Sequence, residues 1–140
     1  MKNLLEKIKH HEGFVEHVYD DSLGIPTIGY GFAIKDLILD QDIAEEILLR
    51  KLQKLKNNAN RRFSWLEDMP LEVKEVVLNM CYQLGITGFS KFRKAISAMQ
   101  ENDWEEAADE MLDSKWAKQT PNRAKELSNI VRSQSAKISS

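Results

Sequence analysis

The feature that most constrains this chain is a change of hydrophobic period between Phe14 and Phe32. On either side, apolar residues recur at the helical spacing of about 3.6. Between them, the run FVEHVYDDSLGIPTIGYGF is aromatic, β-branched and turn-forming. Its Asp20-Asp21-Ser22-x-Gly24 group signals a tight turn, and Gly24, Gly29 and Gly31 fall within eight residues. The pattern predicts strands near Phe14–Tyr19 and Ile25–Gly29, with a third around Phe32–Lys35. Such a small antiparallel sheet is too small to stand alone.

The flanking segments predict the helices. Leu4, Leu5 and Ile8 make one stripe of a first helix that Gly13 stops. From about Gln41 to Asn60, Ile43, Ile47, Leu48, Leu52 and Leu55 share a face, so this helix is long enough to link two lobes. Pro70 is expected in the first turn of the next helix, whose buried stripe is Val73, Val76, Val77, Met80, Cys81 and Leu84 and whose end is Gly85. A helix from about Ser90 to Gln100 carries Phe92, Ala95, Ile96 and Met99. Asp103-x-x-Glu106 resembles a capping box ahead of Trp104, Ala107, Ala108, Met111 and Leu112. Thr120-Pro121 has the form of an N-cap and N1 pair opening a last helix through Leu127, Ile130 and Val131. The small polar tail Ser133–Ser140 is expected to fray. The fold class is therefore α+β: an N-terminal helix and small sheet (1–40), a connecting helix (41–60) and a helical lobe (61–140), together one domain.

Composition narrows the function. With 140 residues, 20 Lys plus Arg and 22 Asp plus Glu, the net charge of −2 argues against a general coat for nucleic acid or anionic membrane. Cys81 is the single cysteine, which excludes an internal disulfide and a cysteine-rich zinc module. No apolar run is long enough for a signal peptide or a bilayer span, so no export signal and no membrane insertion are expected. The charge is nonetheless segregated. Arg50–Arg62 holds six basic residues and no acidic one, Lys115–Lys125 holds four, and Glu101–Asp113 holds seven acidic residues and no basic one. If those basic patches face an anionic partner, activity falls as salt rises.

The chemistry concentrates between Glu12 and Gly31. Glu12 ends the first helix, where the negative end of the helix dipole disfavours an ionised carboxylate, as a general acid requires. Asp21 lies in a polar turn where a carboxylate stays ionised. Two carboxylates in contrasting settings form the acid/base arrangement of a glycosidase. Thr27, on the next strand, offers a hydroxyl to hold a water for Asp21. Taken alone, an exposed helix-end Glu and a turn Asp are also common surface features.

The segment HEGFVEHVYDDSLGIPTIGYG resembles the active-site segment of the phage-type lysozymes, the T-even phage endolysin group of glycoside hydrolase family 24. The family spacing is Glu, eight residues, Asp, five residues, Thr; Glu12, Asp21 and Thr27 match it without a gap. The resemblance continues in Asn79–Gly85, in Phe89–Phe92, in Ser114-Lys115-Trp116 and in Gln119–Ala124. It implies a lysozyme-like fold, with the small sheet lobe joined by a long helix to a helical lobe. It also implies a muramidase that hydrolyses the β-1,4 bond between N-acetylmuramic acid and N-acetylglucosamine in peptidoglycan. By the same resemblance, Glu12 protonates the leaving oxygen while Asp21 and Thr27 direct water to the opposite sugar face. An inverting enzyme of this kind places its carboxyl groups roughly 6.5–9.5 Å apart. Tyr82 and Gln83 match cleft-facing residues and are carried as substrate-binding residues, although Tyr82 equally fits a partly buried helix tyrosine. Arg123 matches an arginine facing the catalytic Glu, where it either orients Glu12 or serves structure. The resemblance further implies a monomer acting on peptidoglycan glycan strands in host lysis without a cofactor. Such an enzyme is held in the cytoplasm until a membrane pore releases it to the cell wall.

The sequence departs from the family in places. Phe32 stands where many relatives carry a histidine, so packing must replace any ion pair there. The segment from Phe32 to Gln41 is short, Leu23 occupies an often polar turn position, and Ala95 and Glu110 replace sugar-contact positions. Other readings fit the residues less well. His10, His11 and His17 lack the HExxH spacing, so no metal is expected. Trp104 and Trp116 fit core positions better than sugar platforms, and Cys81 fits an inert small hydrophobe. Residues 71–100 as a DNA-binding helix-turn-helix with Lys91, Arg93 and Lys94 fit poorly with the apolar faces and the net charge. A catalytically dead peptidoglycan-binding module fits poorly with the intact Glu12, Asp21 and Thr27 set.

Overall fold

The computed structural model describes residues 1–138 and is α+β. The chain divides into two compact units, Met1–Glu45 and Glu46–Ser140.

In the N-terminal unit, α1 (Lys2–Glu12) stops at Gly13, whose φ of 69° only glycine adopts without strain and whose N–H donates to the Lys9 carbonyl. Leu4, Leu5 and Ile8 find no cover within this unit and remain exposed. β1 (Val15–Asp20), β2 (Pro26–Gly29) and β3 (Phe32–Ala33) form the expected antiparallel sheet in the order β1-β2-β3. Tyr19 pairs with Thr27 and Thr27 with Ala33, which places Thr27 on the central strand, where it is buried. The third strand is shorter than Phe32–Lys35, because the chain turns into a 3-10 helix at Ile34–Asp36.

The helix α2 (Gln41–Arg62) runs two residues beyond the expected end. Its predicted stripe is geometrically correct but unevenly covered. Ile43, Ile47, Leu48 and Leu52 are exposed, whereas Leu55 packs on the core of the second unit and Ala59 is buried in it.

The second unit is helical. α3 (Leu71–Ser90) is capped by Pro70, which precedes the helix rather than lying in its first turn. Gly85, at φ 79° and ψ 162°, breaks the helix as predicted, but helical turns resume to Ser90. The next helix, α4 (Arg93–Gln100), consequently begins three residues later than Ser90, after Phe92 at its cap. α5 (Trp104–Leu112), α6 (Lys115–Gln119), α7 (Pro121–Arg132) and α8 (Gln134–Ile138) follow. The Asp103 carboxylate accepts from the Glu106 N–H at 3.2 Å, but the Asp103 N–H donates to the Ala98 carbonyl, so only half of the capping box forms. Thr120 does not cap α7 with its side chain; its hydroxyl donates back to the Trp116 carbonyl at 3.0 Å. The tail forms α8 over Gln134–Ile138 rather than fraying, because Gln134 is buried and donates to the Ile130 carbonyl at 3.1 Å. The last two residues of the expected fraying segment lie outside the described residues.

α5 packs on α4 and α7, and α7 on α3 and α6, around Val73, Val77, Met80, Met99, Met111 and Val131. Arg132 of α7 ties to α5 through Glu105 and Asp109 at 2.5 and 2.8 Å. Aromatic contacts run from Phe63 to Phe89 (5.5 Å between ring centres), Phe92 (6.1 Å) and Trp116 (5.8 Å). Burial of that kind contributes roughly 1.5–3 kcal/mol per large apolar side chain, which explains why the stability of this unit rests on its interior.

Candidate active site

Glu12, Asp21 and Thr27 all belong to the N-terminal unit, each positioned by a different local device. Glu12 is the last residue of α1 and is exposed. Among the described residues no hydrogen bond holds its carboxylate. Its carboxyl lies where a side chain at 31 would be: a methyl group built on Gly31 would lie 2.5 Å from Glu12 Oε2 and 3.2 Å from Cδ. The carboxyl therefore rests against bare backbone in the loop between β2 and β3.

Asp21 is half-buried, and its carboxylate organises the turn between β1 and β2. Oδ1 accepts from the N–H groups of Leu23 at 2.8 Å and Ile25 at 2.9 Å. The main chain closes the same turn, with the Asp21 N–H donating to the Ile25 carbonyl and the Gly24 N–H to the Asp21 carbonyl. This Asx arrangement pins one oxygen, and Oδ2 has no donor among the described residues. The Thr27 hydroxyl donates to the Ile25 carbonyl at 2.8 Å, so towards a water it is left as an acceptor.

Phe32, in the family's histidine position, is half-exposed and packs locally. Its ring would lie 2.8 Å from a methyl group on Gly29 and meets Tyr30 edge-on at 6.4 Å. Tyr30 in turn contacts Phe14 at 5.4 Å and lies under Lys9 Nζ at 5.8 Å.

The other three predicted site residues belong to the second unit. Tyr82 on α3 is 49 % exposed, which fits either reading of it. Gln83 is exposed, and its Oε1 accepts from Trp116 Nε1 at 2.9 Å, while its amide N–H groups have no acceptor among the described residues. Trp116 is core, as its sequence setting suggested, and so is Trp104. Arg123 is fastened to Asn79: its Nε donates to Oδ1 at 2.8 Å and a terminal nitrogen donates to the Asn79 carbonyl at 3.2 Å. Neither partnership was legible beforehand, because the residues stand 33 and 44 positions apart; the only signal was that Asn79, Gln83, Trp116 and Arg123 all fall in the resembling motifs. A cavity of about 520 Å³ opens beside Trp116, with Leu84, Phe92 and Ala95 on its walls and Lys115 and Glu110 bringing both signs of charge. The Cys81 thiol is buried, and that burial pushes it up to about 12. Among the described residues no three His, Cys, Asp or Glu side chains converge as a metal site would require.

The family model for phage lysozyme matches residues 9–136. The chain is 28 % identical to the pre-baseplate central spike protein Gp5 of Enterobacteria phage T4, over 92 % of this chain but 27 % of that protein, so it spans about a quarter of the spike protein's length. It is 26 % identical to probable T4-type lysozyme 2 and 22 % identical to probable T4-type lysozyme 1 of Dictyostelium discoideum. Those alignments cover 93 % and 94 % of this chain and 94 % of each relative. With its match running from residue 9 to residue 136, the chain belongs to the phage lysozyme family.

Proposed function

We propose that this protein is a muramidase that hydrolyses the β-1,4 bond between N-acetylmuramic acid and N-acetylglucosamine in bacterial peptidoglycan. The observation that carries the reading is the contrast between the two carboxylates of the N-terminal unit. Glu12 is exposed at the end of α1 with no hydrogen bond to its carboxyl among the described residues, so its proton can pass directly to a substrate oxygen. Asp21 has one oxygen fixed by two backbone donors and the other available, as suits a base. Membership of the phage lysozyme family supports the same assignment.

In this mechanism Glu12 protonates the glycosidic oxygen as the bond to the anomeric carbon breaks. Asp21 Oδ2 takes one proton of a water, while Thr27 Oγ1, already donating to the Ile25 carbonyl, accepts a hydrogen bond from the water's other O–H, which stays on the product as its new hydroxyl. A lone pair of that water attacks the anomeric carbon from the face opposite the leaving group, which inverts the configuration. Tyr82 supplies a ring for an apolar sugar face and Gln83 its free amide donors. Arg123, fixed on Asn79, supplies a positive charge. The protein acts as a monomer in lysis of the host cell, held in the cytoplasm until a membrane pore releases it to the wall.

Purified Glu12→Gln is expected to lose turbidity-clearing activity on cell walls at least ~10³-fold; unchanged activity refutes the assignment. Anomeric-proton NMR of the first product distinguishes inversion from retention. Mass analysis of released muropeptides expects reducing muramic acid ends, whereas anhydro ends would identify a lytic transglycosylase.

A further inference from the structure

We infer that Gly31 is a positioning residue for Glu12, the missing side chain at 31 being the space that the Glu12 carboxyl occupies. The three atoms nearest a methyl group built on Gly31 are all from Glu12: Oε2 at 2.5 Å, Cδ at 3.2 Å and Cγ at 3.8 Å. A real Cβ essentially never lies at the first of these distances, so something must shift, and the far end of the exposed, flexible Glu12 side chain is what gives way most cheaply. With no side chain at 31 the carboxyl can lie in that space, and a methyl group there would close this position to it.

The loop is itself braced on both sides of Gly31. Phe32 covers the bare face of Gly29, and Tyr30 contacts Phe14, two residues after Glu12. Lys9, on the last turn of α1, lies over the same Tyr30 ring. The end of α1 and the β2–β3 loop are thus joined around Glu12. A proton donor displaced by about 1 Å loses on the order of 10²-fold in rate.

The catalytic consequence rests on the muramidase reading; the steric coupling does not, and the experiment separates them. Gly24 serves as the reference for backbone strain, since its φ of 78° is close to the 75° of Gly31 and a methyl group there meets nothing within 4 Å. Thermal unfolding is measured for the parent, Gly24→Ala, Gly31→Ala, Glu12→Ala and the Glu12→Ala/Gly31→Ala pair. Gly31→Ala is expected to lower Tm more than Gly24→Ala, and the excess is expected to vanish in the Glu12→Ala background. If Gly31→Ala fails to fold while the double variant folds, the coupling is established directly. An equal Tm loss in both backgrounds, or failure of both to fold, overturns the inference. On soluble glycan fragments, Gly31→Ala is expected to lose about 100-fold in kcat with KM within about threefold of the parent. A kcat within about threefold of the parent overturns the positioning role. Thermal coupling in a parent that cleaves no glycan supports the steric inference and refutes the muramidase reading instead.

Discussion

Asp21 is asked to do two things, and replacing it in two ways separates them. Its Oδ1 accepts two backbone N–H groups at 2.8 and 2.9 Å, one at the exposed Leu23 and one at the half-buried Ile25. A hydrogen bond to a charged acceptor contributes about 1.5–3 kcal/mol when sheltered and a neutral one about 0.5–1.5. Water reaches this turn, so the lower part of each range applies. Asp21→Ala removes both hydrogen bonds and is expected to cost about 3 kcal/mol. Asp21→Asn keeps a carbonyl oxygen in the Oδ1 position, loses only the charge, and is expected to cost about 2 kcal/mol. At roughly 4 °C per kcal/mol for a chain of this size, circular-dichroism melting at neutral pH should show losses of about 12 °C and 8 °C. Both variants leave no base at Oδ2, so both should clear cell-wall suspensions at least ~10³-fold more slowly than the parent. The reasoning fails if the two variants melt together, because the turn then does not depend on Oδ1. It also fails if Asp21→Asn keeps more than about a tenth of the activity.

Three further outcomes follow from other parts of the molecule. Cys81, buried in the core with its thiol pushed up to about 12, should resist a maleimide in native protein at pH 8 and react on unfolding; native labelling would refute its burial. The Glu106 carboxyl is held above the usual range chiefly by its hydrogen bond with Glu110, and its folded form therefore binds its proton more tightly. That contribution is present below the usual glutamate range and is lost as pH rises through the raised value, so Glu106→Gln should raise Tm near pH 7 and have no such effect near pH 3. A difference independent of pH would exclude the carboxylate pair as its cause. Trp116→Phe removes the indole N–H to Gln83 along with buried volume, and should cost roughly 2 kcal/mol, read by thermal melting. It should also raise KM on glycan fragments more than it lowers kcat, because Gln83 loses its orientation; an unchanged Tm would contradict the packing.

Much of the local structure was legible because it depends on neighbours in sequence. Gly13 stops α1 and Gly85 breaks α3 for a reason internal to each residue, the absence of a Cβ at positive φ. The turn built by Asp21 uses partners two and four residues away, so its composition announces it. The stripe on α3 follows the helical period, and Val73, Val76, Val77, Met80 and Cys81 are all buried. Misjudged details are those where a competing partner lies elsewhere. Thr120 has the residue type and the following proline of a cap, yet Trp116 offers its hydroxyl a carbonyl one turn back. The α8 tail looked too polar to fold, but Gln134 finds carbonyl and carboxylate acceptors at Ile130 and Glu72.

The sequence by itself determined the change from helix to sheet and back, and the spacing that sets a helix-end glutamate, a turn aspartate and a strand threonine in one short segment. Periodicity and turn chemistry act over a few residues, so one chain read in order is enough to see them. Tertiary structure decided what each group touches. It placed the Glu12 carboxyl against Gly31, 19 positions later, gave the Gln83 oxygen to Trp116, and fastened Arg123 to Asn79. Those pairings are made by backbone approach and side-chain reach across the fold, where the stability of a buried contact is shared among many residues and carries no local pattern.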